Sequence, residues 1–129
     1  MSTPVEALMR TYLASTGVTT SATGYYLRAA PQGTTAPYGV VSKISAGTSY
    51  HLEGVSGLKV PRMQVSCFGD TYQQAKTLAG EVITKMHLWT GSTDIEVQGV
   101  FLENETDIFE TDTQSHHVPL DFFVAHIIL

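Results

Sequence analysis

Apolar residues recur along this chain with two spacings. Val5, Leu8, Met9, Tyr12 and Leu13 follow i, i+3, i+4, i+7 and i+8, which predicts an amphipathic helix with one apolar stripe. Thr3-Pro4-Val5-Glu6 in front of it has the form of a capping box with proline at the first helical position. The threonine oxygen can accept from a free backbone N–H, and the glutamate can reach back to another. Gly17 is a natural stop. A second stripe runs through Tyr72, Ala75, Leu78, Ala79, Val82, Ile83 and Met86 and ends near His87. Asp70-Thr71-Tyr72-Gln73 offers its N-cap, with a glutamine three residues on. The small Ala75 and Ala79 let this helix lie close against a sheet.

Elsewhere the period is two. Gly24-Tyr25-Tyr26-Leu27 reads as a short extended segment, Ala30-Pro31-Gln32-Gly33 as a turn, and residues 38–45 as a second strand introduced by Pro37. Within residues 59–68, Met63, Val65 and Cys67 share one face and Arg62, Gln64 and Ser66 the other, as in a half-buried strand. Residues 95–102 form another strand, and residues 103–115 an acidic loop with Ile108 and Phe109 embedded in it. The strongest strand is 116–128. Val118, Leu120, Phe122, Val124, His126 and Ile128 lie on one side; His117, Pro119, Asp121, Phe123, Ala125 and Ile127 lie on the other. Apolar residues on both sides imply cover on both faces, by helices or by a neighbouring subunit. Residues 46–57 hold three glycines and few apolar residues, as a flexible hairpin arm does. The order of helix, three strands, helix and two strands predicts an α+β fold: a mainly antiparallel sheet of about five strands with both helices packed on one face. At 129 residues the expectation is one domain, 1–129, with no repeat or linker.

Composition sharpens this picture. The hydrophobic share of 43% and charged share of 15% are those of a globular chain. No stretch approaches the run of about 20 apolar residues that crosses a bilayer, so no membrane partner is expected. The N-terminus lacks the basic flank and apolar run of a secretory signal, which points to cytoplasmic synthesis. Asn104-Glu105-Thr106 fits a glycosylation pattern that has no meaning without secretion. The net charge of −5 argues against holding nucleic acid by neutralising phosphates. Its distribution is uneven: the seven Lys and Arg all lie at or before Lys85, giving +3 up to that point and −8 after it. Such a split suits complementary faces between copies of the protein, or simply a solvated acidic edge.

Candidate chemistry changes little. Cys67 excludes an intramolecular disulfide by being the sole cysteine, and its alternation with Met63 and Val65 places it in the core. His116 and His117, as neighbours on a strand, point to opposite faces and cannot chelate one ion together. His51 and His87 have no ligand spacing around them. Residues 103–107 alternate oxygen ligands as a calcium loop does, but Ile108 stands where that loop needs glycine and Gln114 where it needs glutamate. Gly47, Gly54 and Gly57 lack the spacing of a phosphate-binding loop. No catalytic, metal or cofactor site is expected, so the chain reads as a non-enzyme.

Three pieces in order resemble the tail-completion proteins of long-tailed bacteriophages, also called tail terminator or tail-to-head joining proteins. They are Ala30-Pro31-Gln32-Gly33 with Ala36-Pro37-Tyr38; Arg62-Met63-Gln64-Val65-Ser66-Cys67-Phe68 running into Thr71-Tyr72-Gln73-Gln74-Ala75 and Leu78-Ala79; and Asp107-Ile108-Phe109-Glu110 before His117-Val118-Pro119-Leu120-Asp121-Phe122-Phe123-Val124. With the opening helix, the resemblance covers nearly the whole chain. Gly39 departs from it, standing where the family carries a large aliphatic residue. The resemblance implies a virion protein at the head-proximal end of the tail, assembled in the host cytoplasm. It forms a ring, typically of six subunits, that caps the tube of tail protein and meets the head connector, with DNA passing through a central channel without specific binding.

On that reading, Thr48, Ser49, Tyr50, His51 and Glu53 in the arm are candidates for partner contact, and Glu103, Glu105 and Asp107 for interaction or for an acidic channel wall that repels DNA. Two alternatives stand beside it. One is another neck, connector or minor tail component. The other is a small-molecule-binding α+β module or hydrolase, a monomer or two-fold dimer with a polar pocket and a cluster around His116, His117 and Asp121.

Overall fold

The computed structural model describes residues 4–15, 21–45, 58–91, 93–111 and 114–128. In chain order the elements are α1 (Val5–Leu13), β1 (Tyr25–Leu27), β2 (Tyr38–Ser45), β3 (Leu58–Lys59), β4 (Arg62–Gly69), α2 (Tyr72–His87), β5 (Ile95–Glu105), β6 (Ile108–Glu110) and β7 (Ser115–Ile128).

The strand with the strongest pattern organises the sheet. β7 is long enough to take β4 and then β3 along one edge, and β6 and then β5 along the other, all antiparallel. β2 pairs antiparallel with β4, and β1 runs parallel to β2 at the far side. The result is the expected α+β architecture, a mainly antiparallel sheet with both helices on one face, and among the described residues it holds seven strands. Two short strands add to the five expected: β3, set off from β4 by Val60 and Pro61, and β6, which lies in the acidic stretch. That stretch is not a loop throughout: β5 continues to Glu105, and β6 resumes at Ile108. A strand as buried as β7 requires partners for its backbone N–H and C=O groups, and that requirement overrides the weak strand propensity of Glu and Asn.

Both helices lie on one face, α1 over β1 and β2 and α2 over β4, β7 and β5. Between helices and sheet, Met9, Leu13, Val41, Met63, Val65, Cys67, Leu78, Val82, Met86, Leu120 and Phe122 are buried together. Burial, and secondarily the Glu105 carboxylate, pushes the Cys67 thiol far up, so it serves packing. Lys85 joins this core although it is charged. Its Nζ donates to the carbonyls of Leu13 (2.9 Å) and Ser15 (2.8 Å) at the C-terminal end of α1. It also lies 5.4 Å from the Tyr12 ring centroid, and that ring stacks on Trp89 at 5.5 Å.

Both caps are shifted one residue from expectation. α1 starts at Val5 with Pro4 as N-cap, which has no side-chain oxygen to offer; its carbonyl accepts from the N–H groups of Ala7 and Leu8. At α2 the N-cap is Thr71, and Gln74 reaches back past it to the residue before. Thr71 Oγ1 accepts from the Gln74 N–H (3.1 Å), and Gln74 Oε1 accepts from the Asp70 N–H (2.7 Å).

Gly39 has a physical explanation. It pairs with Tyr25 in the parallel β1–β2 register, and a Cβ on Gly39 would stand 2.6 Å from the Tyr25 ring. Tyr25 is itself buried, so the aromatic ring fills the space an aliphatic side chain would take. Gly39→Val is therefore expected to destabilise the protein by about 1–3 kcal/mol in urea unfolding, and Tyr25→Ala in the same chain should recover part of that loss. Additive losses in the double variant would show that the two positions do not share this space.

Candidate interaction surfaces

The outer face of the sheet, opposite the helices, is crossed by an aromatic row. Tyr26 on β1 meets Tyr38 on β2 edge-on at 6.2 Å, Tyr38 stacks on Phe68 of β4 at 4.9 Å, and Phe68 stacks on His117 of β7 at 4.3 Å. Antiparallel register sets the last two rungs, because Tyr38 pairs with Phe68 and Phe68 with His117. Farther along the same face, Asp121 accepts from Arg62 (2.8 Å) and Gln64 (3.0 Å) and is largely buried by them. His116 lies on the other face between Tyr72 and Phe109, so the two histidines diverge as expected. Asp121, four positions from His117 and thus roughly 13 Å along the strand, already has its partners. His116, His117 and Asp121 do not converge into one cluster. Among the described residues no group of three or more His, Cys, Asp or Glu could hold a metal ion, and no helix is long and apolar enough to cross a membrane.

His117 and His126 are both held below the ordinary histidine range, chiefly by desolvation. For His117 the nearby Glu110, 3.3 Å away, opposes the shift without cancelling it. A depressed folded pKa means that the unfolded chain binds more protons below the unfolded value of about 6.5. The stability these histidines contribute is complete above that pH and is lost as pH falls through their folded values. The melting temperature is therefore expected to drop between pH 7.5 and 5.5, and the drop should shrink in a His117→Gln, His126→Gln variant. An equal drop in that variant would place the acid sensitivity elsewhere.

The two edges of the sheet differ. On the β5 side, the end near Ile95 is closed by a bridge between Gly91 and Glu96 and by the Val97 N–H donating to Thr90. From Gln98 to Glu105 the strand pairs only with β7, among the described residues, and then only along one edge. This open edge exposes apolar side chains: Phe101 at 60% with Leu102 next to it in β5, and Ile108 and Phe109 farther along in β6. Phe101 stands on the outer face opposite Phe123, its ring folded back over Gly99, where a Cβ would approach the ring tip to 3.0 Å. Glu103 falls in the register shift between Leu102 and Asn104. Glu105 and Asp107 do not form a bare acidic surface. Lys76 from α2 reaches both, at 2.6 and 3.1 Å, and the two carboxylates hold its pKa well above the usual lysine value. Glu103 has no ion pair among the described residues.

The opposite edge is basic. The Tyr25 carbonyl accepts from Arg10 Nε (2.9 Å) and the Leu27 carbonyl from the Ala29 N–H (2.7 Å), which blunts β1. Beyond it, β2 exposes Lys43 and Ile44, with Lys43 3.8 Å from Glu6. Arg28, exposed and in the left-handed region at φ 67°, borders an outer-face groove of about 320 Å³ lined by Tyr38, Ser42, Gln64, Ser66 and Phe68. The charge split along the sequence is thus partly consumed within the chain, by Lys76 with Glu105 and Asp107 and by Arg62 with Asp121.

Of the residues singled out in the sequence, Thr48, Ser49, Tyr50, His51 and Glu53 lie outside the described residues. Phe101 and Arg28 were not legible as surface features. The signal for Phe101 was present in Val100-Phe101-Leu102, apolar on both faces of a strand whose pairing partner on one side is solvent.

A model of the family described as "Tail completion protein gp17" matches residues 6–126. Among solved structures, the chain is similar to one in the virion of a native gene transfer agent (GTA) particle. The TM-score is 0.71 at 14% identity, with 95% of this chain and 93% of that one covered. At that identity the likeness is one of fold. No curated protein sequence gives a significant match.

Proposed function

Because this chain belongs to the gp17 family of tail completion proteins, we propose that it works as a ring-forming tail terminator, a structural part of a virion and not a catalyst. Acting as one domain, it would sit on the head-proximal end of the tail tube, stop addition of tube protein and present a surface to the head connector. Six subunits would surround a channel through which DNA passes without specific binding. The observation that carries this reading is the family match over residues 6–126. It is supported by the open sheet edge from Gln98 to Glu105, which exposes Phe101 and Leu102 as apolar surface available to another protein. Ring closure needs two different patches that fit each other, and the two sheet edges differ in charge. Under the same reading Thr48, Ser49, Tyr50, His51 and Glu53 contact a partner component, and Glu103, Glu105 and Asp107 belong to an interaction surface.

Electron microscopy of particles assembled without this protein tests the proposal. Tail tubes of uncontrolled length, lacking heads, are expected. Tubes of normal length joined to heads would refute it.

A further inference from the structure

The outer-face groove, the open β5 edge and the unpaired charges fit one another if they come from different copies. We propose that subunits join head to tail by sheet edges, with Phe101 and Glu103 of one copy meeting the rim of the groove at Arg28 of the next. This deepens the ring reading and rests on it.

Sign is the first argument. The β5–β6 edge carries Glu96, Glu103, Glu105, Asp107 and Glu110 against Lys76, whereas the β1–β2 edge carries Arg10, Arg28 and Lys43 against Glu6. Two copies brought together by like edges repel; two brought together by unlike edges attract. Side is the second argument. Phe101 projects from the outer face, opposite Phe123, and the groove opens on that same face, since Gln64 and Ser66 share it with Asp121 and Pro119. An edge-to-edge approach that keeps both outer faces on one side therefore sets the ring against the rim of the groove, where Arg28 stands. Availability is the third. Among the described residues neither Arg28 nor Glu103 has an ion pair within its own chain. Shape is the fourth: an exposed aromatic side chain beside a half-apolar pocket is the usual form of an interface anchor, with a charge pair at its rim fixing register. Because the two patches are different, each subunit keeps one free after pairing, and repetition about an axis closes a ring.

The test uses sedimentation velocity and native mass spectrometry on the full chain at high concentration. Phe101→Thr, which keeps strand propensity, and Arg28→Glu are each expected to weaken self-association by roughly tenfold or more. Both sites are exposed, so melting should change little. Mixing the two variants is the decisive arm. Arg28→Glu still carries an intact Phe101 edge, and Phe101→Thr an intact groove, so the mixture should form one-to-one dimers and nothing larger. Glu103→Arg placed in the Arg28→Glu chain should restore higher assembly. If Arg28→Glu melts early, Arg28→Asn replaces it, because asparagine tolerates the positive φ. Wild-type rings with variants that assemble equally well, or a mixture that stays monomeric, overturn this contact and leave the ring reading standing. A wild type that stays monomeric, even with tail tubes present, overturns both.

Discussion

Lys85→Ala is expected to cost the fold about 2–4 kcal/mol, seen as a lower urea midpoint with an unchanged slope. Lys85 is 1% exposed, and its Nζ supplies the donors for the Leu13 and Ser15 carbonyls. Those carbonyls belong to the end of α1, where backbone acceptors have no partner within the helix and where a positive charge is favoured by the helix dipole. Alanine removes the donors and also the four-carbon stem packed between the helices. Part of the loss is offset, because a buried ammonium is itself costly: desolvation draws the Lys85 pKa below its ordinary value. Lys85→Met separates the terms. Methionine restores most of the buried volume and none of the hydrogen bonds, so its cost should be the smaller, about 1–2 kcal/mol. The expected order of stability is wild type, Met, Ala. If both variants matched the wild type, the link between α1 and α2 would rest on the apolar contacts alone.

This lysine also shows where the sequence was silent. Helical spacing identified Leu78, Val82 and Met86, and they are buried. Lys85 lies three residues after Val82 on the same stripe, but by charge it reads as a solvated residue, and only the position of α1 gives it acceptors. Local periodicity reports which face of an element is buried; it does not report what that face meets. Alternation in β4 and β7 was therefore enough to place Met63, Val65, Cys67, Leu120 and Phe122 inside, and to send His116 and His117 to opposite faces. The same rule failed for Glu103 and Glu105. Their strand is dictated by the backbone groups of β7, a non-local demand that side-chain polarity hides. The charge split was legible as a number but not as geometry. Lys76 meets Glu105 and Asp107 because α2 crosses above β5, and that crossing is a property of the assembled sheet.

Phe122→Ala is expected to have the largest effect of any single change discussed, a loss of about 3–5 kcal/mol. Phe122 is 1% exposed on the helix-facing side of the central strand, so truncation leaves a cavity under α2 that the surrounding rigid sheet cannot close. For a domain of ordinary stability, about 5–15 kcal/mol, that is a large part of the total, and partial unfolding near 37 °C should follow. The comparison with Phe101 gives the prediction its functional content. Phe101 pairs with Phe123, the very next residue of β7, yet it is 60% exposed. One aromatic ring belongs to the core, and the other to whatever covers the sheet edge. Thermal unfolding of Phe101→Thr should stay within about 0.5 kcal/mol of wild type while self-association fails. Phe122→Ala should lose association only in proportion to the fraction unfolded, and cooling or a stabilising osmolyte should restore both together. Should Phe101→Thr melt as early as Phe122→Ala, the β5 edge would be part of the folding core and the separation between fold and contact surface would not hold.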